Sequence, residues 1–351
     1  MTGAQPRTPK GLEVGLEAVA GWIREAGDDV AAPLAAQRIG NGQSNLTYLL
    51  TDVEGRRWVL RRPPLGHLLQ SAHDVAREFR IMSALQGTGV PVPRVLGLWE
   101  PEGVAHMIMG FLDGYVVDSV EKGEAAPPEL RGAIGPSIAR TLARIHAVDL
   151  EESGLVALAS HKPYAERQLA RWAKQLAASR TTESADLDRV TEILAASLPA
   201  QSDLTLVHGD LHLANAICDP GTGEVVGALD WELSTLGDPL ADLGTLLAYW
   251  PESDDGLRPW GVFGASSLPG FATRAQIVEA YAEASGRDVS DAGFWHVLGV
   301  WKIVAIIEGV RRRVLDLPDN ASLGGVPTEE MVHMLSGRAL SLAREYGLPK
   351  A

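Results

Sequence analysis

The stretch Leu206-Val-His208-Gly209-Asp210-Leu-His212-Leu-Ala-Asn215, followed by Leu229-Asp230-Trp231-Glu232, decides the reading of this chain. Between its two halves Ala216-Ile217-Cys218 and Val225-Val226-Gly227-Ala228-Leu229 flank Asp219-Pro220-Gly221-Thr222-Gly223, a composition that predicts a hairpin. A hairpin is expected to fold Asp230 back to the side of Asn215. The result would be a cluster of hard oxygen ligands beside a candidate base, Asp210. Mg²⁺ takes such a set, usually one or two carboxylates completed by substrate phosphates. Phosphoryl transfer needs the same parts: a base for the attacking hydroxyl, and ligands for the cation that neutralises developing charge.

Asp-x-x-x-x-Asn with a later Asp resembles the catalytic loop and metal-binding Asp of kinases. The fuller pattern, His-Gly-Asp-x-x-x-x-Asn with Asp-Trp-Glu, resembles the aminoglycoside phosphotransferase and choline kinase family rather than protein kinases. Without that resemblance, Asp210 and Asn215 would read as turn caps and Asp230 as a strand end. Val59-Leu-Arg-Arg-Pro-Pro, Arg167-Gln168 with Arg171-Trp172, and Glu308-Gly309-Val310 look like one branch, which includes the kinase-like domain fused to acyl-CoA dehydrogenases in animals. The resemblance covers residues 35 to 315. It implies an α+β, bilobal protein-kinase-like fold: a β-rich nucleotide-binding N-lobe over residues 1–110 and a helical catalytic C-lobe over residues 111–351. It implies ATP as donor, with GTP open, and Mg²⁺ as cation. Asp210 would orient or deprotonate the acceptor hydroxyl, and Asn215 and Asp230 would hold Mg²⁺.

In the N-terminal part, residues 11–26 predict a helix, with Leu12, Leu16, Val19 and Ile23 at helical spacing. Two strand-like runs follow, the first carrying Gly40-Asn-Gly42-Gln-Ser44-Asn45 and the second Arg57-Trp58-Val59-Leu60-Arg61-Arg62. Antiparallel strands around a Gly-rich turn can lay backbone N–H groups over phosphates. Ser44 and Asn45 could reach a phosphate or merely stabilise the turn. Alternation places Val59 and Arg61 on one strand face. In the kinase pattern, Val59 would roof the adenine and Arg61 would contact phosphate. The family's usual residue at Arg61 is Lys, and the two are not interchangeable, so either Arg61 does the work or the register is off by one. Glu78, on a helix expected over residues 71–86, is the natural partner for Arg61. His106 to Gly114 reads as a strand running into a connector; by resemblance this is the hinge, with Met109 and Phe111 beside the adenine edge.

The C-terminal part predicts helices over residues 134–148, 163–178, 184–198, 274–285, 291–314 and 327–346. His146 ends the first of these and reads as structural. Asp238 before Pro239 reads as a helix cap, and Asp242 as an acceptor for backbone N–H groups of the catalytic loop. The run from Phe294 to Arg313 is apolar nearly all round and should be buried, so Lys302 and Glu308 within it need partners.

Bulk properties limit the alternatives. The chain has 351 residues, 46% apolar and 22% charged, enough for a large core. Its net charge of −14 argues against nonspecific nucleic-acid binding. One cysteine, Cys218, precludes an internal disulfide. The first ten residues lack an apolar signal core, and the apolar run from Phe294 to Ile307 reads as too short for a bilayer. These features predict a cytoplasmic protein with no nucleic-acid or membrane partner; the resemblance implies a small-molecule hydroxyl substrate. Oligomeric state is not encoded legibly. Nor is the acceptor, which could be a hydroxyacyl-CoA or hydroxy acid, an aminoglycoside, a macrolide, choline or a sugar. A catalytically silent nucleotide- or metabolite-binding protein is the rival reading, motivated by Arg61. A metal-dependent hydrolase is disfavoured, because the nine histidines include no His-Glu-x-x-His spacing.

Overall fold

The computed structural model describes residues 12, 14–40, 45–64, 74–158, 163–255, 261–317 and 326–349. The chain divides into two compact units. One runs to Asp113 and includes the short return segment Gly227–Glu232; the other comprises Gly114–Val226 and the chain from Leu233 onward.

The first unit is a helix-backed antiparallel sheet. Helix α1 (Leu16–Glu25) precedes strands β1 (Ala35–Ile39), β2 (Leu46–Thr51) and β3 (Arg57–Arg62). Helix α2 (Val75–Ala84) follows, then β4 (Val95–Trp99) and β5 (His106–Gly110). The strand order is β1-β2-β3-β5-β4. Alternation along β3 works as the sequence predicts: Trp58, Leu60 and Arg62 are buried while Val59 and Arg61 are half-exposed. The buried face packs on Val19, Ala20 and Ile23 of α1, with Tyr48 and Leu50 of β2. β3 pairs with β5 so that Val59 stands opposite Met109, and Arg61 opposite Met107. Asp74 caps α2 by accepting from the Arg77 N–H at 2.8 Å.

The second unit is mostly helical. Its elements run α3 (Val120–Ala125), α4 (Pro128–His146), α5 (Tyr164–Ser179), α6 (Ala185–Ala196), β6 (Thr205–Val207), β7 (Ala216–Cys218), β8 (Val225–Ala228, whose last two residues begin the return segment) and β9 (Thr235–Gly237). Then come α7 (Leu240–Ala248), α8 (Arg274–Ser285), α9 (Ala292–Asp316) and α10 (Glu329–Glu345). α4 begins six residues before the predicted start, because Pro128 fits the first helical turn, where its missing N–H is not needed. The predicted hairpin forms: the Asp219 carboxylate accepts from the Gly221 and Thr222 N–H groups at 2.9 Å each, closing the turn between β7 and β8.

α9 is the core helix. Phe294, Trp295, Val297, Trp301 and Val304 along it are buried. At 25 residues it passes a length and composition test for crossing a membrane, longer than the run read from sequence, yet 83% of its most apolar window is buried inside the protein. Glu308 finds its partners on the α5–α6 connection: it accepts from the Thr181 N–H at 2.7 Å and the Thr182 N–H at 3.1 Å. α7 crosses α9 closely because glycines face each other. A Cβ on Gly299 would stand 2.8 Å from the Gly244 carbonyl oxygen.

Candidate active site

The second unit builds the loop between β6 and β7 on one buried carboxylate. Asp242, in the first turn of α7, accepts from the His208 N–H at 2.6 Å and the Gly209 N–H at 2.7 Å. His146, at the end of α4, contacts the same carboxylate at 3.2 Å, and its other ring nitrogen meets the Tyr281 hydroxyl at 2.8 Å. The roles read for Asp242 and His146 therefore hold. Burial opposes charge on Asp242, but His146, His208 and the Gly209 N–H outweigh it and hold the carboxyl below its ordinary range. Gly209 has φ +86, and a Cβ there would meet the Leu233 carbonyl oxygen at 3.0 Å. Glycine is thus required on both counts. His208 is buried, and its Nδ1 accepts from the Asp210 N–H at 3.3 Å, which makes it a loop brace.

The loop presents Asp210 and Asn215 together. The Asn215 Nδ2 donates to the Asp210 carbonyl at 2.9 Å and to its Oδ2 at 3.3 Å. With the amide nitrogen committed to the loop, Asn215 Oδ1 is the atom left for a cation. His212 Nε2 lies 3.6 Å from Asp210 Oδ2, and the His212 ring stacks on Tyr249 with centroids 4.2 Å apart. Lys302 Nζ donates to the Gly209 carbonyl at 3.0 Å. Burial works against ionisation of Asp210, but His212, Lys302 and His208 overcome it and depress its pKa. A carboxylate so held stays ionised near neutrality and can only accept hydrogen bonds.

The first unit gathers a second cluster. Arg61 Nε lies 2.9 Å from Glu78 Oε2, and its Nη2 donates to Asp230 Oδ1 at 2.6 Å. The Arg61–Glu78 pairing expected from sequence is present; Asp230 as a further partner of Arg61 was not read. Glu232 joins the group: its carboxylate lies 3.9 Å from Arg61 and accepts from the Asn45 Nδ2 at 3.4 Å. Burial penalises the Arg61 charge, yet Glu78, Asp230 and Glu232 hold the proton more tightly than usual. Burial pushes Glu78 up to about 7; Arg61 and the Trp231 N–H oppose that rise, while Asp230 and Glu232 reinforce it. Asp230 has φ +69, a left-handed conformation that Asp tolerates better than most residues. The return segment is pinned nearby by the Ala228 N–H, which donates to the Pro91 carbonyl at 2.7 Å.

Val59 and Met109 face each other across β3 and β5, on the sheet face that carries Arg61. Phe111 has the Arg57 guanidinium 4.3 Å from its ring centroid, so one face of that ring is covered. Ser44 lies outside the described residues. Among the described residues no group of three or more His, Cys, Asp or Glu side chains is arranged to hold a metal ion. Asp230 in the first unit and the Asn215 amide oxygen in the second are each of the hard oxygen type that Mg²⁺ takes. Sequence reasoning missed the stacking of His212 on Tyr249 and the target of Lys302. The only signal was Lys302 itself, a charge within an apolar helix.

Comparison with known proteins points one way. The model of the phosphotransferase enzyme family matches residues 35–289. The mouse protein acyl-CoA dehydrogenase family member 10 is 37% identical over 295 residues, covering 82% of this chain and 27% of that protein. The rat protein acyl-CoA dehydrogenase family member 11 is 31% identical over 326 residues, covering 91% of this chain and 41% of that protein. The chain thus spans less than half the length of these relatives. Among solved structures, a Ralstonia eutropha protein classed with the aminoglycoside phosphotransferases superposes with a TM-score of 0.75 at 29% identity, over 94% of this chain and 98% of that one. An aminoglycoside 2'-phosphotransferase in complex with GDP shares the fold, with a TM-score of 0.58 at 14% identity over 94% of this chain and 97% of that one. The expected kinase-like α+β fold is therefore the fold observed.

Proposed function

Since the chain belongs to the phosphotransferase enzyme family, we propose that it transfers the γ-phosphoryl group of ATP to the hydroxyl of a small molecule, with Mg²⁺ as cation. The observation that supports this reading most is the placement of Asp210: braced by Asn215 on the Asp242-anchored loop, with no Arg partner among the described residues. Such a carboxylate accepts the acceptor's O–H, aims its oxygen, and takes its proton as the new bond forms. Its low proton affinity makes orientation the larger part of its contribution.

Mg²⁺ with the nucleotide would supply the phosphoryl group and neutralise charge on its oxygens. Asp230 and the Asn215 Oδ1 would each offer an oxygen to the ion. Arg61 would hold a phosphate oxygen, and Glu78 fixes the direction in which its guanidinium points. Val59 and Met109 offer an apolar surface for the base. A second reading, nucleotide binding without turnover, is favoured by one observation: Arg61 is already neutralised by Glu78 and Asp230.

The test is Mg²⁺-dependent ATP binding by calorimetry, then ADP release over a panel of hydroxyl acceptors. Asp210→Asn should bind Mg·ATP as the parent does while turnover drops about 10²–10⁴-fold. Full turnover in that variant would remove Asp210 from the chemistry. ATP binding with no turnover on any acceptor would select the second reading.

A further inference from the structure

A small cavity in the second unit lies directly against the Asp210 loop. Its volume is about 30 Å³, and its wall includes Tyr164, Trp172, Gly209, Trp295, Leu298 and Lys302. That volume holds one or two water-sized groups, so it fits the end of a molecule rather than a whole one. Two polar groups of the wall, Lys302 and Trp295, can only donate, while Tyr164, Gln168 and Thr245 in the same wall can donate or accept. The Lys302 ammonium donates to the Gly209 carbonyl at 3.0 Å and lies 5.5 Å from the Trp172 ring centroid, with further N–H groups to give. Trp295 is 2% exposed, and its Nε1–H is buried without an acceptor. A buried donor lacking a partner is costly. The carboxylate in the same wall, Asp242, does not offset them, because its oxygens take the N–H groups of His208 and Gly209 together with His146.

We propose that Lys302, with Trp295, is the specificity-determining element of the acceptor pocket: the cavity receives a carbonyl or carboxylate oxygen of the acceptor molecule and turns away acceptors that carry an amine there. This rests on the phosphotransferase reading for the identity of the pocket's occupant. Lys302 is also a positioning residue, since the ammonium that meets the acceptor's oxygen holds the carbonyl next to Asp210. An ammonium on the incoming molecule would face the buried like charge of Lys302 and a Trp295 N–H that can only donate, and sites with such mispaired polar groups discriminate strongly.

The experiment measures binding without nucleotide, by quenching of tryptophan fluorescence in the full chain. Three probes share a hydroxylated skeleton: 3-hydroxybutyrate, its methyl ester and 4-aminobutan-2-ol. The acid or the ester should bind at least about tenfold more tightly than the amine. Lys302→Met should shrink that ratio to about twofold or less, and Lys302→Arg should keep the preference. Where Lys302→Met does not fold, Trp295→Phe, which removes only one donor, should weaken the oxygen probes and leave the amine unchanged. An amine bound as well as the acid and the ester, an equal lack of response to all three, or an unchanged ratio in Lys302→Met would overturn the proposal. Mg·ATP binding, titrated separately, registers failure of the phosphotransferase reading by itself.

Discussion

Arg61 stands where chains with this pattern usually carry Lys, and its surroundings explain how an Arg can serve. Its guanidinium brings Nε within 2.9 Å of Glu78 and donates from Nη2 to Asp230, contacts from two separate nitrogens that a single ammonium could not reproduce. Arg61→Lys should therefore bind nucleotide while holding Asp230 less firmly. Arg61→Ala should be worse, because the buried Glu78 loses its cation and must take up a proton or remain an unpaired charge; breaking a buried pair costs at most about 3–5 kcal/mol. Chemical denaturation of both variants beside the parent checks the difference, and equal stability would mean that Glu78 relies on other partners.

Glu78 adds a pH dependence whose sign is fixed. Its folded value of about 7 lies above the ordinary 4.5, so between those limits the folded state binds more protons than the unfolded one. The favourable contribution is complete below about 4.5 and is lost as pH rises through about 7, with an upper limit of ~3 kcal/mol. Stability of the parent should fall over that window, and Glu78→Gln should flatten the fall. A parallel pH profile in the variant would show that Glu78 does not titrate there.

At the scale of elements, the crossing of α7 and α9 is the most exacting contact. A Cβ on Gly299 would stand 2.8 Å from both the Ala248 Cβ and the Gly244 carbonyl oxygen. Gly299→Ala should push the helices apart and cost about 1–3 kcal/mol, read as a fall of a few degrees in Tm; an unchanged Tm would mean the crossing has slack. Such glycines sit within a long apolar run, and the run is what the sequence displays. Helical periodicity located α5, α6, α8, α9 and α10 to within about two residues, because each spans three turns or more. β6 and β9 are three residues each, too short for alternation to register, and their pairing escaped notice. The candidate site divides the same way. Asp210, Asn215, Asp230, Arg61 and Glu78 were legible from spacing and family resemblance. The Lys302 contact to Gly209 joins residues far apart in sequence, and only the packing of α9 decides it. Lys302 and Glu308 could be recognised as needing partners, but not matched to them.

At the scale of the whole molecule, the proposed function predicts ligand-linked stability. Mg·ATP present at about 100 times its Kd should stabilise the folded chain by ~2.7 kcal/mol. The shift in Tm should vanish with EDTA, and in the Asp230→Ala variant. A shift from ATP alone, equal to that with Mg²⁺, would argue that the nucleotide binds without the ion and that Asp230 has another role.

The return segment Gly227–Glu232 belongs by its contacts to the first unit, although its neighbours on both sides belong to the second. The polypeptide therefore passes between the units three times. A piece cut after Asp113 would lack Asp230, leaving Arg61 without that partner, and would lack the Trp231 N–H that Glu78 accepts and the Ala228 N–H that meets Pro91. Inheritance feels the same constraint. A recombination event with a single breakpoint cannot graft one unit onto a foreign partner without tearing this strap away. New acceptor preferences in proteins wired like this one are then expected to accumulate by substitution along walls such as the one holding Lys302, with the first unit carried along unexchanged.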